Sequence, residues 1–77
     1  MKIEELSKIS INNKELIENS KYCACYYCLY KFDPKDIIFW TDNKKTAVCP
    51  KCNVDAVIAD NNPIDSSFLE KASKYWF

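Results

Sequence analysis

Four of the five cysteines fall in two pairs whose spacing could hold a metal ion. The first pair is Cys25-Tyr26-Tyr27-Cys28, and the second, Cys49-Pro50-Lys51-Cys52, begins after twenty further residues. A Cys-x-x-Cys step lets two sulfurs on one tight turn face a single ion, and two such turns supply the corners of a tetrahedron. The spacing therefore predicts a zinc ribbon with one structural Zn²⁺, held by Cys25, Cys28, Cys49 and Cys52.

The fifth cysteine, Cys23, lies two residues before Cys25 and on the same face of an extended strand. Cys23 could replace Cys25 as a ligand, but its Cys-x₄-Cys spacing to Cys28 fits a metal turn less well, so we expect a packing thiol. A disulfide framework and buried free thiols are the rival uses of the cysteines.

The expected compartment is the cytoplasm. Residues 1–5 contain no apolar signal-peptide core, and no apolar run approaches the length of a membrane span. In the reducing cytosol, paired cysteines favour a metal over disulfides. We therefore expect no association with a membrane.

The residue types available for chemistry argue against catalysis. The chain has no histidine, no arginine and no glycine, so the commonest general base, bidentate phosphate clamps and glycine-rich phosphate loops are missing. A cage of four thiolates leaves no open coordination position for metal-activated water. We therefore expect a protein that is not an enzyme.

Rubredoxin-like electron transfer is an alternative, because rubredoxins hold iron between two Cys-x-x-Cys turns. Such turns often need a left-handed residue, usually glycine, after the second cysteine. Asn53 after Cys52 tolerates that conformation, whereas Leu29 after Cys28 does not, so the first turn is predicted to be of another type. The missing glycines argue against the iron site.

The charge balance bears on the class of partner. Eleven lysines face eleven acidic residues, so the formal charge is zero, and four thiolates with one Zn²⁺ add about −2. A nucleic-acid-binding zinc ribbon is therefore a disfavoured alternative, since such proteins show a basic footprint. Acidic residues interleave with the lysines that could form a weak patch, which are Lys31, Lys35, Lys44, Lys45 and Lys51.

Eleven aromatic residues in a chain of 77 favour protein binding. A core this small covers few large rings, and exposed aromatic side chains are typical of interface hot spots. The leading hypothesis is a zinc-stabilised protein-binding module, a small adaptor or inhibitor of another protein. The candidate partner-binding residues are Tyr27, Trp40, Tyr75, Trp76 and Phe77.

The sequence pattern predicts that the elements positioning the metal turns form a small α+β fold in one domain, residues 1–77. Residues 1–20 are expected to form a helical extension with helices over 2–9 and 13–20. The second helix is predicted to have an Asn12–Glu15 capping box and a buried stripe of Leu16 and Ile17.

Residues 21–60 are expected to form the ribbon, a short antiparallel sheet with the first strand and metal turn over 22–32 and further strands over 46–48 and 54–59. A short helix over 34–40, capped by Asp33, is predicted to bury Ile37 and either Phe39 or Trp40. Residues 61–77 are expected to hold the last helix, over about 66–75. Asp65, Ser66 or Ser67 caps this helix, and Ser67 with Glu70 fits a capping box.

From about residue 21 to residue 77, the chain resembles a group of small bacterial zinc-ribbon proteins described as cytoplasmic, whose role is not established. The resemblance rests on Cys25-Tyr26-Tyr27-Cys28, Phe32-Asp33-Pro34, Thr46-Ala47-Val48-Cys49-Pro50-Lys51-Cys52, Asp55-Ala56-Val57-Ile58, Phe68-Leu69 and Tyr75-Trp76-Phe77. Members usually carry glycine after the last cysteine, where this chain has Asn53. The resemblance implies a zinc ribbon from a bacterial or phage source, and it implies no reaction.

Overall fold

The computed structural model describes all 77 residues, from Met1 to Phe77. A 3₁₀ turn over Ile3–Glu5 leads into the first of three α-helices, which are α1 (Leu6–Ile9), α2 (Lys14–Glu18) and α3 (Ser66–Trp76). The five strands are β1 (Tyr22–Cys25), β2 (Lys31–Phe32), β3 (Trp40–Thr41), β4 (Thr46–Ala47) and β5 (Val57–Asp60). None of the helices has the length and hydropathy that crossing a membrane requires.

β1 is the central strand of an antiparallel three-stranded sheet with the order β2-β1-β5. Cys23 in β1 pairs with Phe32 of β2 on one side and with Ala59 of β5 on the other. The last three residues of β1 are all buried, and neighbouring strands pair with both edges of this strand. The first metal turn therefore starts from a well-fixed strand.

β3 and β4 form a separate antiparallel hairpin, in which Trp40 lies opposite Ala47. The loop between these strands contains three successive residues in the left-handed region, Asp42, Asn43 and Lys44, with φ of 52°, 59° and 67°. Aspartate and asparagine visit this region more readily than most residues with a Cβ. The loop thus reverses the chain without any glycine.

The core brings together side chains from the N-terminal helices, the three-stranded sheet and α3. Its largest fully buried side chains include Leu6, Ile17, Val57, Ile58 and Leu69. α3 buries Leu69 and Ala72, which lie three residues apart on one helix face. The Trp76 indole N–H donates to the C=O of Ile3 at 2.8 Å, which ties α3 to the N-terminal 3₁₀ turn.

Asn13 connects the two sheets through its buried side chain. Its amide oxygen accepts the N–H of Ala47 in β4 at 3.0 Å, and its amide nitrogen donates to the C=O of Val57 in β5 at 2.9 Å. One amide side chain thereby supplies the acceptor and the donor that a neighbouring strand would otherwise supply. The two sheets are joined at this point without pairing directly.

The predicted helix over 34–40 is wrong, because only a 3₁₀ turn forms, over Pro34–Asp36. The predicted start is confirmed, since Asp33 and Asp36 form a reciprocal capping box. The backbone becomes extended at Ile37, ahead of the segment that pairs with β4. Neither aromatic ring is fully buried, since Trp40 is half-buried and Phe39 is exposed.

The capping box predicted for α2 does not form. The helix begins after Asn13, whose side chain is engaged with the two sheets and makes no cap hydrogen bond. Ile17 is buried but Leu16 is exposed, because consecutive side chains of a helix point about 100° apart and α2 faces the core with the side that carries Ile17.

The last strand starts later than predicted, whereas the last helix starts at the predicted residue, Ser66, after one of the predicted caps, Asp65. The strand expected over 54–59 forms only over Val57–Asp60. α3 begins after Asp65 without a Ser67–Glu70 capping box, and the hydroxyl of Ser67 donates instead to the carboxylate of Asp65. This hydrogen bond holds the pKa of Asp65 below its ordinary value.

Candidate metal centre

Four sulfur atoms meet where the two Cys-x-x-Cys turns face each other. The Sγ atoms of Cys25, Cys28, Cys49 and Cys52 all lie within 4.8 Å of one another. Two contacts cross between the turns at 3.6 Å, from Cys25 Sγ to Cys52 Sγ and from Cys28 Sγ to Cys49 Sγ. A tetrahedral Zn²⁺ with Zn–S bonds of about 2.3 Å places its sulfurs about 3.8 Å apart. The cluster therefore fits a metal ion such as zinc, and no cysteine is in a disulfide.

Backbone hydrogen bonds that close on Cys25 build the first turn. The N–H of Leu29 donates to the C=O of Cys25 at 2.9 Å, and the N–H of Tyr27 donates to Cys25 Sγ at 3.4 Å. Leu29 lies in the left-handed region, at φ 68°. The N–H of Cys25 then donates to the C=O of Tyr30 at 2.9 Å, where the chain returns toward β2.

The second turn repeats this geometry around Cys49. The N–H of Asn53 donates to the C=O of Cys49 at 3.0 Å, and the N–H of Lys51 donates to Cys49 Sγ at 3.4 Å. Asn53 has φ 64°, and the N–H of Cys49 donates to the C=O of Val54 at 3.0 Å. In both turns, N–H groups aimed at sulfur orient the ligand and stabilise its negative charge.

The prediction that the first turn is of another type is therefore wrong. Leu29 adopts the conformation for which glycine is usual, at a cost of about 1–2 kcal/mol for a residue with a Cβ. The same hydrogen bonds form in both turns, so the geometry of the turn overrides the preference of the residue. The absence of glycine consequently does not separate a zinc site from a rubredoxin-like iron site.

Strand pairing brings the two turns together. The first turn connects β1 to β2, and the second lies between β4 and β5. Cys25 at the end of β1 lies opposite Val57, and the N–H of Tyr26 extends this pairing to the C=O of Ala56 at 3.0 Å. The chain just before the first turn is thus joined to the chain just after the second, which holds the turns side by side.

Burial and hydrogen bonding shift the pKa values of three of the clustered sulfurs, those of Cys25, Cys28 and Cys52. Burial raises the pKa of Cys25 well above its ordinary value and also raises the pKa of Cys52. Burial acts on Cys28 as well, but hydrogen bonds from the Tyr30 backbone and from the neighbouring sulfurs outweigh it and lower the pKa. Without a metal, the cluster therefore holds protons that an incoming ion must displace.

Cys23 lies outside this cluster. It is buried between Phe32 and Ala59 on the neighbouring strands, and burial, with the carboxylates of Asp33 and Asp36, raises its pKa to about 12. Its sulfur is not among the four that lie within 4.8 Å of one another, so it is not positioned to hold the same ion. Its burial in β1 is consistent with the expected role of a packing thiol.

Four of the five candidate partner-binding rings come from the first metal turn and the end of α3. The rings of Tyr27 and Phe77 meet edge to face with centroids 4.7 Å apart, and Tyr75 packs against Trp76 at 5.1 Å. Their exposed fractions are 47% for Tyr27, 58% for Tyr75, 36% for Trp76 and 61% for Phe77. We name Tyr27, Tyr75, Trp76 and Phe77 the terminal aromatic surface.

Trp40, the fifth candidate, belongs to a different element, the β3–β4 hairpin. It is half-buried, and the ammonium of Lys14 lies 5.9 Å from its ring centroid. Beside it, Ile38 and Phe39 are exposed to 72% and 65%, more than any other large apolar side chain. Sequence reasoning missed both residues as candidates, although the uncharged run Ile37–Trp40 was a visible signal.

Comparisons with known proteins do not extend this description. No known protein family matches the chain, and searches of curated proteins and of solved structures find no match. The four-cysteine cluster in a small α+β fold is therefore what supports a zinc-ribbon-like motif. The resemblance to small bacterial zinc-ribbon proteins stays a prediction.

Proposed function

We propose that this protein is a zinc-stabilised protein-binding module of the zinc-ribbon type, a small adaptor or inhibitor that acts in the bacterial cytoplasm. The observation that carries the proposal is the position of Phe77, which packs on Tyr27 of the first metal turn and still leaves most of its ring to solvent. Clustered exposed aromatic rings are typical of the centres of protein interfaces.

Two hydrogen bonds support a surface that is ordered before a partner arrives. The indole of Trp76 is held by the C=O of Ile3 at 2.8 Å, and the hydroxyl of Ser73 donates to the C=O of Tyr27 at 3.4 Å. A surface whose side chains are already fixed loses less conformational entropy on binding. A metal ion in the adjoining site would support binding indirectly, since it fixes the turn that carries Tyr27.

Binding is favoured over catalysis because four thiolates fill every coordination position of a tetrahedral ion. A protein is favoured over a nucleic acid as partner because the formal charge is zero, whereas phosphate binding depends on a basic surface. The two lysines that stand over aromatic rings, Lys14 over Trp40 and Lys51 over Tyr30, lie on different elements.

Affinity capture from a lysate of the native host, followed by titration of the identified partner, tests this proposal. The zinc-loaded protein is compared with Tyr75→Ala, which removes one ring from the terminal aromatic surface, and with Tyr22→Ala, which removes an exposed ring from β1. We expect Tyr75→Ala to weaken binding at least about tenfold and Tyr22→Ala to leave it unchanged. Circular dichroism and zinc content verify that both variants are folded.

A partner that both variants bind as tightly as the original protein contradicts the proposal. Salt-sensitive binding of single-stranded or duplex DNA supports the nucleic-acid alternative instead, because release of counterions makes phosphate binding depend on salt. Iron and a red colour in the purified protein support electron transfer.

A further inference from the structure

The outer edge of β3 has open main-chain hydrogen-bonding groups. The C=O of Phe39 accepts the N–H of Val48 at 3.1 Å and therefore faces β4. Because the hydrogen-bonding direction alternates along an antiparallel strand, the main-chain groups of Ile38 and Trp40 face away from β4. The N–H and C=O of Ile38 have no hydrogen-bond partner within the chain. We name residues Ile38–Trp40 the β3 edge.

The other strand edges are covered or carry a charge. On the outer edge of β4, the N–H of Ala47 donates to the side chain of Asn13, which also covers the C=O of Val57 in β5. β2 presents the exposed ammonium of Lys31, and lysine on an edge strand discourages pairing with other chains. Residues 37–41, Ile-Ile-Phe-Trp-Thr, contain neither a charge nor a proline.

Apolar side chains stand on both sides of this edge. Ile38 and Phe39 are consecutive in an extended segment, so their side chains point to opposite faces, and both are largely exposed. An extended strand laid along the edge would bury part of both side chains. It would also enlarge a two-stranded sheet, which is marginally stable by itself.

We propose that the β3 edge pairs antiparallel with the β3 edge of a second copy of this chain. The result is a symmetric dimer with a continuous four-stranded sheet in the order β4-β3-β3-β4. When the two-fold axis passes beside Phe39, the N–H and C=O of Ile38 bond to the main chain of Trp40 in the second copy, and the reverse pairing follows by symmetry. The two Phe39 side chains then meet on one face, with Cβ atoms about 4.5–5.5 Å apart.

A second copy matches the edge in hydrogen bonding, charge and side-chain chemistry. Antiparallel pairing around a two-fold axis is self-complementary, so the open donors and acceptors of the edge each gain a partner. The segment has no charge, so two copies do not repel each other, and the side chains that meet are apolar on both sides. Because the edge is short and the contact small, we expect a weak dimer with a dissociation constant in the range of about 10 µM to 1 mM.

Sedimentation equilibrium and NMR dilution of the zinc-loaded chain test the dimer. We expect the average mass to rise above the monomer value of 9.0 kDa as concentration increases. The amide signals that move on dilution should be those of Ile38, Phe39 and Trp40. Phe39→Lys places like charges opposite each other and should raise the dissociation constant about tenfold or more. Ile38→Lys, at the other exposed side chain, should act in the same direction.

Tyr22→Lys is the matched control, because it adds the same charge at an exposed aromatic ring that lies outside both the β3 edge and the terminal aromatic surface. A dimer that Tyr22→Lys retains and both edge variants weaken supports the proposal. At about 1 mM, the upper limit of the expected dissociation constant, about half of the chains or more should be in dimers. A chain that stays monomeric at this concentration overturns the proposal. A dimer that Tyr22→Lys breaks while Phe39→Lys leaves it intact also overturns it, and neither result bears on the terminal aromatic surface.

Discussion

At the scale of single residues, the two metal turns have the same backbone geometry although different residue types occupy the corresponding positions. Both turns end in the left-handed region, with Leu29 in one and Asn53 in the other. Asparagine tolerates this region, whereas leucine is strained there by contact between its Cβ and the following carbonyl oxygen. Leu29 therefore makes the folded chain less stable than a residue that adopts the left-handed conformation without strain would.

Replacing Leu29 with glycine should stabilise the metal-bound protein by about 1 kcal/mol, because glycine adopts a left-handed backbone without that clash. Leu29→Ala is the matched control, since it removes the same side-chain contacts but keeps the Cβ. Denaturant unfolding in the presence of excess zinc measures both variants. Equal stability of the glycine and alanine variants would show that Leu29 is not strained.

At the scale of elements, the two sheets depend on Asn13 for their connection. The side chain accepts from Ala47 and donates to Val57 in the buried space between β4 and β5. Burial makes these bonds important, because an unpaired polar group inside a protein costs more than a hydrogen bond contributes at the surface. The backbone N–H groups of Asn12 and Lys14 also bond to the hairpin, at Thr46 Oγ1 and at the C=O of Lys45, and the Asn13 amide extends this attachment to β5.

Asn13→Ala should lower the free energy of unfolding by about 2–4 kcal/mol, since it leaves a buried N–H and a buried C=O without partners. Asn13→Asp should also destabilise the protein, because a carboxylate accepts from Ala47 but cannot donate to Val57. Asn62→Ala, at an exposed loop residue, is the control and should change stability by less than about 0.5 kcal/mol. Similar unfolding midpoints for the Asn13 and Asn62 variants would contradict this role.

At the scale of the whole molecule, a chain of 77 residues buries only 19 of them, so its core is small. Domains of this size usually need an additional constraint. Zinc binding contributes roughly 10–16 kcal/mol at neutral pH to such domains, and this free energy is coupled to folding. The clustered sulfurs are the site where the constraint would act.

Cys49→Ser should leave the chain largely unfolded and without bound metal, because it removes one corner of the cage and its turn-closing hydrogen bond to sulfur. Cys23→Ala is the matched control, since it removes a buried sulfur outside the cluster and should keep one Zn²⁺ per chain. Metal analysis by mass spectrometry and thermal melting measure both variants. Loss of zinc from Cys23→Ala would mean that Cys23 is a ligand.

Zinc affinity should fall as the pH falls. The thiol pKa values of Cys25 and Cys52 are raised in the metal-free fold, so both groups carry protons below the ordinary value of 9.0. Binding displaces these protons, and each one displaced weakens the affinity about tenfold per unit decrease in pH. Competition with a chelator of known affinity, from about pH 8 to about pH 6, measures the slope. An affinity independent of pH would contradict thiolate ligation.

The sequence predicted the local features of this molecule better than the long-range ones. Each Cys-x-x-Cys pair and the Asp33–Asp36 cap lie within four residues, so their spacing alone specifies them. The segment 34–40 was mistaken for a helix because its extended form depends on pairing with β4. The role of Asn13 could not be predicted for the same reason, because its hydrogen-bond partners lie 34 and 44 residues away in the sequence.

The four sulfurs differ in their exposure to water, so the metal site is open to solvent on one side only. Cys25 and Cys49 are completely covered, whereas Cys28 and Cys52 are only partly covered. A competing thiol or a small chelator can therefore approach a bound ion only from the side of Cys28 and Cys52. Exchange of the metal would then begin with release of one of these two ligands, and its rate would depend on what occupies that side.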